Sequence, residues 1–301
     1  MEHKTLQELN LLDNFLFEEA LNQGEKSIEF CRILLSTILE KEFKNITITP
    51  QRNVSGTSPR NHGIRMDAYI EADEYMDNDD SLPENADIEI TSGIYNIEPN
   101  KYKTSSEAKR TRYYHSLIDS KILKSGIDYS NIKQVVVIMI LPYDPFGRNR
   151  MVYTIKNSCI EEPSIPYDDG IITIYLYTKG TEGNPSQTLK NLLKYIEETT
   201  IENATNNNLK NIHDMVIQIK EDGEVGVRYM QSWEYESYIR QESLEEGKAI
   251  GLQEGKTIGL QEGAQKKAFE IAKSLLDVLD PATIALKTGL SEEEIHGLLQ
   301  K

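Results

Sequence analysis

The amino-acid sequence predicts an α/β fold with a helical extension at its C-terminus. Helical periodicity and short β-branched runs alternate along the first 200 residues, as in helices packed on a sheet. The run VVVIMIL at residues 135–141 follows a predicted helix, so it predicts a strand buried on both faces. Near residue 236 the composition changes to helix-forming residues interrupted by glycines. We therefore expect a first domain at residues 1–200, a connecting segment at 201–235 and a helical tail at 236–301.

The elements of the first domain follow from their residue patterns. Apolar residues at three- and four-residue steps predict two helices within residues 6–42, joined near Gly24. A second helix pattern covers residues 105–124. It begins at SSEAKR, where Ser and Glu form a capping arrangement, and is closed by Gly126, and a third pattern covers 187–198. Turn residues at NVSGTSPRNHG and an acidic, solvated connection between Glu71 and Glu98 separate the first strands. The predicted strands are 45–50, 64–72, 93–99, 135–141, 151–155 and 171–177.

Charge and composition limit the classes of partner. The 301 residues include 33 Lys and Arg against 49 Asp and Glu, a net charge of −16, so any polyanion must bind a local basic patch. The two cysteines have no zinc-site or disulfide-framework spacing. The longest apolar run is far shorter than the roughly 20 residues of a membrane helix, and no secretory segment precedes it. A cytoplasmic protein without a membrane partner is the expectation.

Two acids stand in strands that are otherwise apolar and aromatic. Asp67 lies in IRMDAYIEA and Glu98 in GIYNIEP. If these strands pair, both carboxylates can face one pocket, and such oxygens are ligands that Mg²⁺ prefers together with water and substrate phosphate. The alternative is that each acid simply faces solvent.

A basic segment follows the second acid. Residues 99–156 carry eleven Lys and Arg against four Asp and Glu, with tyrosines interleaved. This mixture suits phosphate contact with occasional stacking on a base or sugar. A solvated helix face with buried aromatic residues is an equally good interpretation of the same pattern.

An ordered set of segments resembles a known family. IRMDAYIEAD, YNIEPN, KRTRYYHSLIDSKILKSGIDY and VVVIMILPYDPFGRNRMVY occur in this order, followed by SCIEEPSIPYDDGIITIYLYTKG. Together they resemble the Rpn family of recombination-promoting nucleases, also described as putative transposases of the PD-(D/E)XK nuclease superfamily. The resemblance covers residues 6–198 and continues loosely into the repetitive tail.

The resemblance implies a restriction-endonuclease-like core, in which a mixed sheet flanked by helices presents a metal site for phosphodiester hydrolysis. Asp67 then matches the first acid of the motif and Glu98 the second, and the carbonyl of Pro99 often completes the metal shell in such sites. The implied cofactor is Mg²⁺, with Mn²⁺ as a substitute. An acid on the first helix serves as a further ligand in some members, which makes Glu18 a candidate, although a solvated helix residue is the simpler interpretation.

The third motif position departs from the superfamily pattern. The superfamily has Lys or Gln at this position, whereas this chain has Asn100. Its side chain offers a neutral amide instead of the positive charge of a lysine. Either Asn100 orients the attacking water, or Lys101 or Lys103 supplies the charge, or the enzyme is impaired. Alternation along a strand places Lys101 on the wrong face unless Pro99 distorts it. The residues expected to contact DNA are Lys101, Lys103, Lys109, Arg110 and Arg112, with the two arginines clamping phosphate.

These observations predict a Mg²⁺-dependent DNA endonuclease with Asp67, Glu98 and Asn100 as catalytic residues. By resemblance alone, its role is linked to recombination, mobile elements or defence. One alternative is a DNA-binding protein on the same scaffold with impaired cleavage. The other is an assembly protein that oligomerises through its tail.

The tail contains a repeat of eight residues. EEGKAIGL, QEGKTIGL and QEGAQKKA place glycines at every fourth position from Gly247 to Gly263. Each glycine disfavours a helix by about 1 kcal/mol relative to alanine, so a partner helix that approaches the glycine strip is one explanation. That explanation predicts a homo-oligomer, whereas the alternative is a flexible linker. Two short helices are expected at the end, the second capped by Ser291 and Glu294.

Overall fold

A computed structural model describes residues 4–54, 64–75, 90–104, 106–122 and 128–299. It divides into two compact units, Met1–Tyr229 and Met230–Lys301. Most of the turn-rich stretch, most of the acidic connection, and Ser105 and Gly126 at the ends of the predicted helix lie outside the described residues.

The first unit is built on a mixed sheet of six strands, as predicted. The spatial order is β1-β2-β3-β4-β6-β5, in which β1, β2 and β3 are antiparallel neighbours. β4 is parallel to both β3 and β6, whereas β5 is antiparallel to β6. The strands are β1 (Phe43–Val54), β2 (Ile64–Tyr75), β3 (Ile90–Pro99), β4 (Gln134–Leu141), β5 (Val152–Ile155) and β6 (Ile171–Tyr177).

Helices cover both faces of this sheet. Four of them, α1 (Asn14–Leu21), α2 (Glu25–Leu39), α4 (Gln187–Glu197) and α5 (Asn207–Glu221), share one apolar core with the sheet. On the other face, α3 (Glu107–Ile122) packs through Tyr114, Leu117 and Ile118. The α/β class and the helix-flanked mixed sheet are therefore confirmed.

The central strand β4 is buried on both faces, as its apolar run predicts. Val136, Ile138 and Ile140 belong to the core under the four helices, and the alternate residues Val137 and Met139 belong to the core under α3. Helices thus pack against both faces of β4, which explains why its apolar residues do not alternate with polar ones.

The first unit extends beyond residue 200, where the sequence analysis ended the first domain. Within the predicted connecting segment, α5 buries Leu209, Ile212, Val216 and Ile219 against the shared core. Their three- and four-residue spacing is an amphipathic helix signal, and polar residues between them weaken the pattern. Residues 201–229 therefore belong to the compact unit.

The second unit contains the predicted helical tail. Helix α6 spans Gly223–Leu275, and every residue from 241 to 267 is exposed. Two short helices follow, α7 (Pro281–Thr288) and α8 (Glu292–Leu299), which share a small core with the end of α6. The predicted capping box is present, since the Ser291 N–H donates to Glu294 Oε2 at 2.8 Å and the Glu294 N–H donates to Ser291 Oγ at 3.3 Å. Among the helices of the described ranges, none is long and apolar enough to cross a bilayer.

Candidate active site

Strands β2 and β3 bring Asp67 and Glu98 together. In their antiparallel register the last paired residues are Ala68 and Ile97, and Asp67 and Glu98 are the residues immediately beyond that pair. Opposed residues of an antiparallel pair project from the same face. Both side chains are buried, with 7% of Asp67 and 2% of Glu98 exposed. The Asp67 N–H donates to Glu98 Oε1 at 2.9 Å, which fixes the glutamate carboxylate beside the aspartate.

Two further side chains hold the Glu98 carboxylate. Asn96 projects from the same face two residues earlier and donates from Nδ2 to Glu98 Oε1 at 3.1 Å. On the α3 side, Arg110 Nη2 lies 3.6 Å from Glu98 Oε2. Tyr114, one helical turn later, accepts hydrogen bonds through Oη from Arg110 Nε at 3.2 Å and Nη2 at 3.0 Å. The arginine is therefore positioned by its own helix to meet the acid pair.

Burial sets the proton affinity of the two acids. It raises the pKa of Glu98, and the neighbouring Asp67 charge raises it further, while Arg110 opposes both effects. Burial likewise raises the pKa of Asp67, assisted by the charge of Glu18 and opposed by Arg65 and Arg110. Two buried carboxylates that repel one another bind protons readily and gain from any cation that joins them.

Glu18 lies close enough to influence Asp67 but is engaged by other groups. Its Oε1 accepts from Arg65 Nη2 at 2.9 Å, and its Oε2 accepts from Gln51 Nε2. Gln51 lies in β1 between the residues paired with Met66 and Ala68, and it has a φ of 51°, uncommon for a residue other than glycine. The predicted extra ligand thus borders the acid pair within a polar cluster of its own.

Asn100, the predicted third motif residue, is engaged by two tyrosines. Its Nδ2 donates to Tyr143 Oη at 3.1 Å, and its Oδ1 accepts from the Tyr102 N–H at 3.2 Å. Tyr143 Oη in turn donates to Glu107 Oε1 at 2.8 Å. Pro99 is the buried last residue of β3, between Glu98 and this network.

The predicted DNA-binding residues separate into different environments. Lys101 forms an ion pair with Asp13, so it is directed away from the acids. Lys103 and Lys109 line a cavity of about 240 Å³ near Tyr143. Arg112 is exposed on another flank of α3 from the acid pair, where it lines a second cavity. Of the five basic residues, Arg110 alone is paired with the acids among the described salt bridges.

The donor set fits a hard divalent cation. Within the described ranges, no group of three or more His, Cys, Asp and Glu side chains is arranged to hold a metal. Two carboxylates suffice for Mg²⁺ or Mn²⁺ when water and substrate phosphate complete the shell. Beside Glu98, Asn96 Oδ1 is a buried oxygen without a hydrogen-bond partner among the described residues, as expected where a water or hydrated ion belongs.

Sequence reasoning missed Asn96, and it included Tyr114 and Tyr143 only as tyrosines interleaved with the basic residues, without their observed partners. Asn96 was detectable, because it alternates with Glu98 along β3, and a buried face with two polar residues is unusual. Tyr114 lies four residues after Arg110 on α3, which also placed the two side chains together. Tyr143 approaches Asn100 across 43 residues, for which the sequence contains no local signal.

No family model, curated protein or solved structure matches this chain. Its function is therefore inferred from the residues of the site.

Proposed function

We propose that this chain is a metal-dependent DNA endonuclease that hydrolyses phosphodiester bonds at Asp67 and Glu98. The observation that supports this most is the opposed, buried acid pair on one sheet face, with the Arg110 guanidinium beside it. Buried carboxylates of this kind destabilise a protein unless they bind a cation or a proton. The pair is thus better explained by function than by stability.

The architecture is compatible with this proposal. A mixed sheet flanked by helices carries the two acids at the ends of the β2–β3 ladder, as the resemblance to the PD-(D/E)XK superfamily implies. Asp67 and Glu98 would hold Mg²⁺ or Mn²⁺, with the Pro99 carbonyl as a further ligand. The bound cation would supply an activated water and neutralise charge on the phosphate.

The other residues of the site orient and balance charge. Asn96 and the Asp67 N–H fix Glu98 Oε1, so Glu98 Oε2 is the oxygen that lies toward Arg110, 3.6 Å from its Nη2. Arg110 provides a positive charge where the superfamily uses the third-motif lysine, and its fork can contact a phosphate oxygen in place of Glu98. Tyr114 is a positioning residue for that guanidinium.

A DNA-binding protein with impaired cleavage is the second candidate. The Asn100 side chain is engaged by Tyr143 and Tyr102, and Lys101 is engaged by Asp13, so neither supplies a free positive charge at the third motif position. If Arg110 does not replace that charge, binding can persist without efficient hydrolysis. Recombination, mobile elements and defence remain the biological settings that the resemblance suggests.

Supercoiled plasmid distinguishes the two candidates. Purified protein is incubated with Mg²⁺, Mn²⁺ or chelator, and nicking is compared with DNA binding in the same samples. Variants Asp67→Asn and Glu98→Gln remove the charge while preserving shape, and Glu71→Gln is the matched control at a partly exposed position of β2. Metal-dependent nicking lost only in the first two variants supports the endonuclease. Salt-sensitive binding without nicking in the wild type supports the second candidate.

A further inference from the structure

A separate cavity lies on another flank of α3 from the acid pair. Its volume is about 500 Å³, and it is bounded by α3, by β6 and by the end of β5. In the sheet, β6 lies two strands from β3, a lateral separation of about 10 Å at ordinary strand spacing. The cavity is therefore close to the proposed active site and distinct from it.

The inner wall of this cavity carries buried polar atoms without partners. His115 is 5% exposed, its Nε2 lies 2.9 Å from Thr173 Oγ1, and its Nδ1 has no hydrogen-bond partner among the described residues. Asp119, one turn further along α3, likewise has a buried Oδ1 without a described partner. Burial keeps His115 neutral by lowering its pKa to about 4. Such atoms are costly unless something polar satisfies them.

The rim of the cavity combines an aromatic ring with two cations. Phe146 is 41% exposed, and its ring is fixed by edge contacts with Tyr153 at 5.0 Å and Tyr175 at 5.1 Å. Arg112 and Lys156 are both exposed, and neither enters a salt bridge between described residues. An immobilised ring beside unpaired cations is suited to a flat, anionic ligand.

The positive rim continues into the neighbouring cavity. The smaller cavity near Tyr143 shares Ala108 and Phe146 with this one and adds Lys103 and Lys109. Phe146 therefore lies between Arg112 and Lys156 on one side and Lys103 and Lys109 on the other. If a nucleotide base packed on its ring, the phosphates on either side of that base would lie near positive charge.

We propose that the cavity between α3 and β6 binds a single nucleotide, with its base against Phe146 and its phosphate at Arg112 and Lys156. The base edge would lie toward His115 and Asp119, which line the inner wall of the cavity. The volume lies in the range of ordinary small-ligand pockets. The nucleotide is either a free nucleoside 5′-monophosphate or an unpaired nucleotide of a DNA strand. This binding goes beyond the proposed hydrolysis and does not depend on it.

Calorimetry on the full-length Glu98→Gln protein in chelator tests the site separately from cleavage. The four nucleoside 5′-monophosphates are titrated into this protein and into the same protein carrying Phe146→Ala or Lys156→Gln. Both positions are exposed, so these variants are expected to fold, which circular dichroism checks. We expect binding by at least one nucleotide and a loss of about tenfold in affinity in each variant. Ile201→Ala and Lys210→Gln, exposed truncations elsewhere in the first unit, are expected to leave affinity unchanged.

DNA probes identify the source of the nucleotide. A labelled duplex with one unpaired nucleotide is compared with a blunt duplex of the same length. Tighter binding of the unpaired probe, lost in Phe146→Ala, supports a nucleotide within a strand, whereas monophosphate binding with no preference between the duplexes supports a free nucleotide. The proposal is overturned if neither monophosphates at millimolar concentration nor the unpaired probe bind preferentially, or if Phe146→Ala and Lys156→Gln bind as tightly as the parent protein.

Discussion

The backbone N–H of Asp67 donates a 2.9 Å hydrogen bond to Oε1 of Glu98, where the next step of the β2–β3 ladder would lie. One acid thereby orients the other, and the two carboxylates are held side by side in a buried place. Neither charge is compensated by the other, since both are negative. Arg110 is the cation that the fold supplies to this pair.

Glu98→Gln is expected to stabilise the metal-free protein at alkaline pH. The pKa of Glu98 and that of Asp67 are raised above their ordinary values of 4.5 and 3.8, so the folded state binds more protons than the unfolded state above those values. The free energy of unfolding therefore falls as the pH rises from these ordinary values through the raised pKa values of the folded state. At pH 8 the variant should be more stable by at least about 1 kcal/mol in urea denaturation. If Glu98→Gln is less stable than the wild type while Glu71→Gln is unchanged, the buried Glu98 charge does not destabilise the folded protein.

Divalent cations are expected to raise the melting temperature, and to do so more at high pH. Binding requires both carboxylates deprotonated, so their raised pKa values move the midpoint of metal binding well above pH 4.5. Thermal melts with Mg²⁺, Mn²⁺ and chelator at several pH values measure this effect. Asp67→Asn should remove the metal-dependent shift. An equal shift in that variant would place the metal elsewhere.

Arg110→Ala is expected to lower the cleavage rate by about 100-fold, because a cation at the acid pair and the phosphate is lost. Arg110→Lys should retain part of the activity, since the charge remains without the bidentate fork. The matched control is Lys121→Ala, an exposed cation in the last turn of the same helix. Single-turnover cleavage rates provide the comparison. Equal losses in Arg110→Ala and Lys121→Ala would assign Arg110 to general attraction of DNA.

Tyr114→Phe is expected to weaken cleavage less than Arg110→Ala does. The change removes the Oη acceptor that holds the guanidinium while preserving the ring in the core under α3. A decrease of about tenfold in rate at unchanged DNA affinity fits the loss of the two hydrogen bonds that the guanidinium donates to Oη. A loss of DNA affinity with unchanged rate would contradict a positioning role.

The glycine strip of α6 is expected to mediate self-association. A Cβ added to Gly251, Gly255 or Gly259 would meet no atom of the described residues within 4 Å, apart from the adjoining turns of its own helix. The apolar residues around them, which include Ile250 and Leu252, are exposed. Replacing the three glycines by alanine favours the helix by about 1 kcal/mol per site but blocks close approach of a second helix. Light scattering should therefore show a smaller assembly for the triple variant. A monomeric wild type, or an unchanged mass, would favour the linker interpretation.

The sequence was sufficient to locate the six strands, and it allowed Asp67 and Glu98 to share a face if their strands paired. Period-two alternation placed Asp67 and Glu98 on defined faces of neighbouring strands, and the uninterrupted apolar run identified the central strand β4. These signals are local, so they are readable without knowledge of the tertiary structure.

Other features depended on contacts between distant residues. Lys101 and Asp13 are separated by 88 residues in the chain, and their pairing removes that lysine from the site. Arg110 was expected to contact DNA, but its pairing with Glu98 was not predicted. That contact depends on how α3 packs on the sheet. Helix α5 was overlooked because polar residues interrupt an amphipathic pattern whose apolar face is completed only by the shared core.

Plasmid nicking by the wild type and by Glu98→Gln, with Mg²⁺ or Mn²⁺ and with chelator, tests the central claim most directly. The acid pair predicts nicking that requires the cation and that falls at least about 100-fold in the variant, while the variant keeps its folded circular dichroism spectrum. Nicking at the wild-type rate by folded Glu98→Gln protein, or by the wild type in chelator, would contradict it.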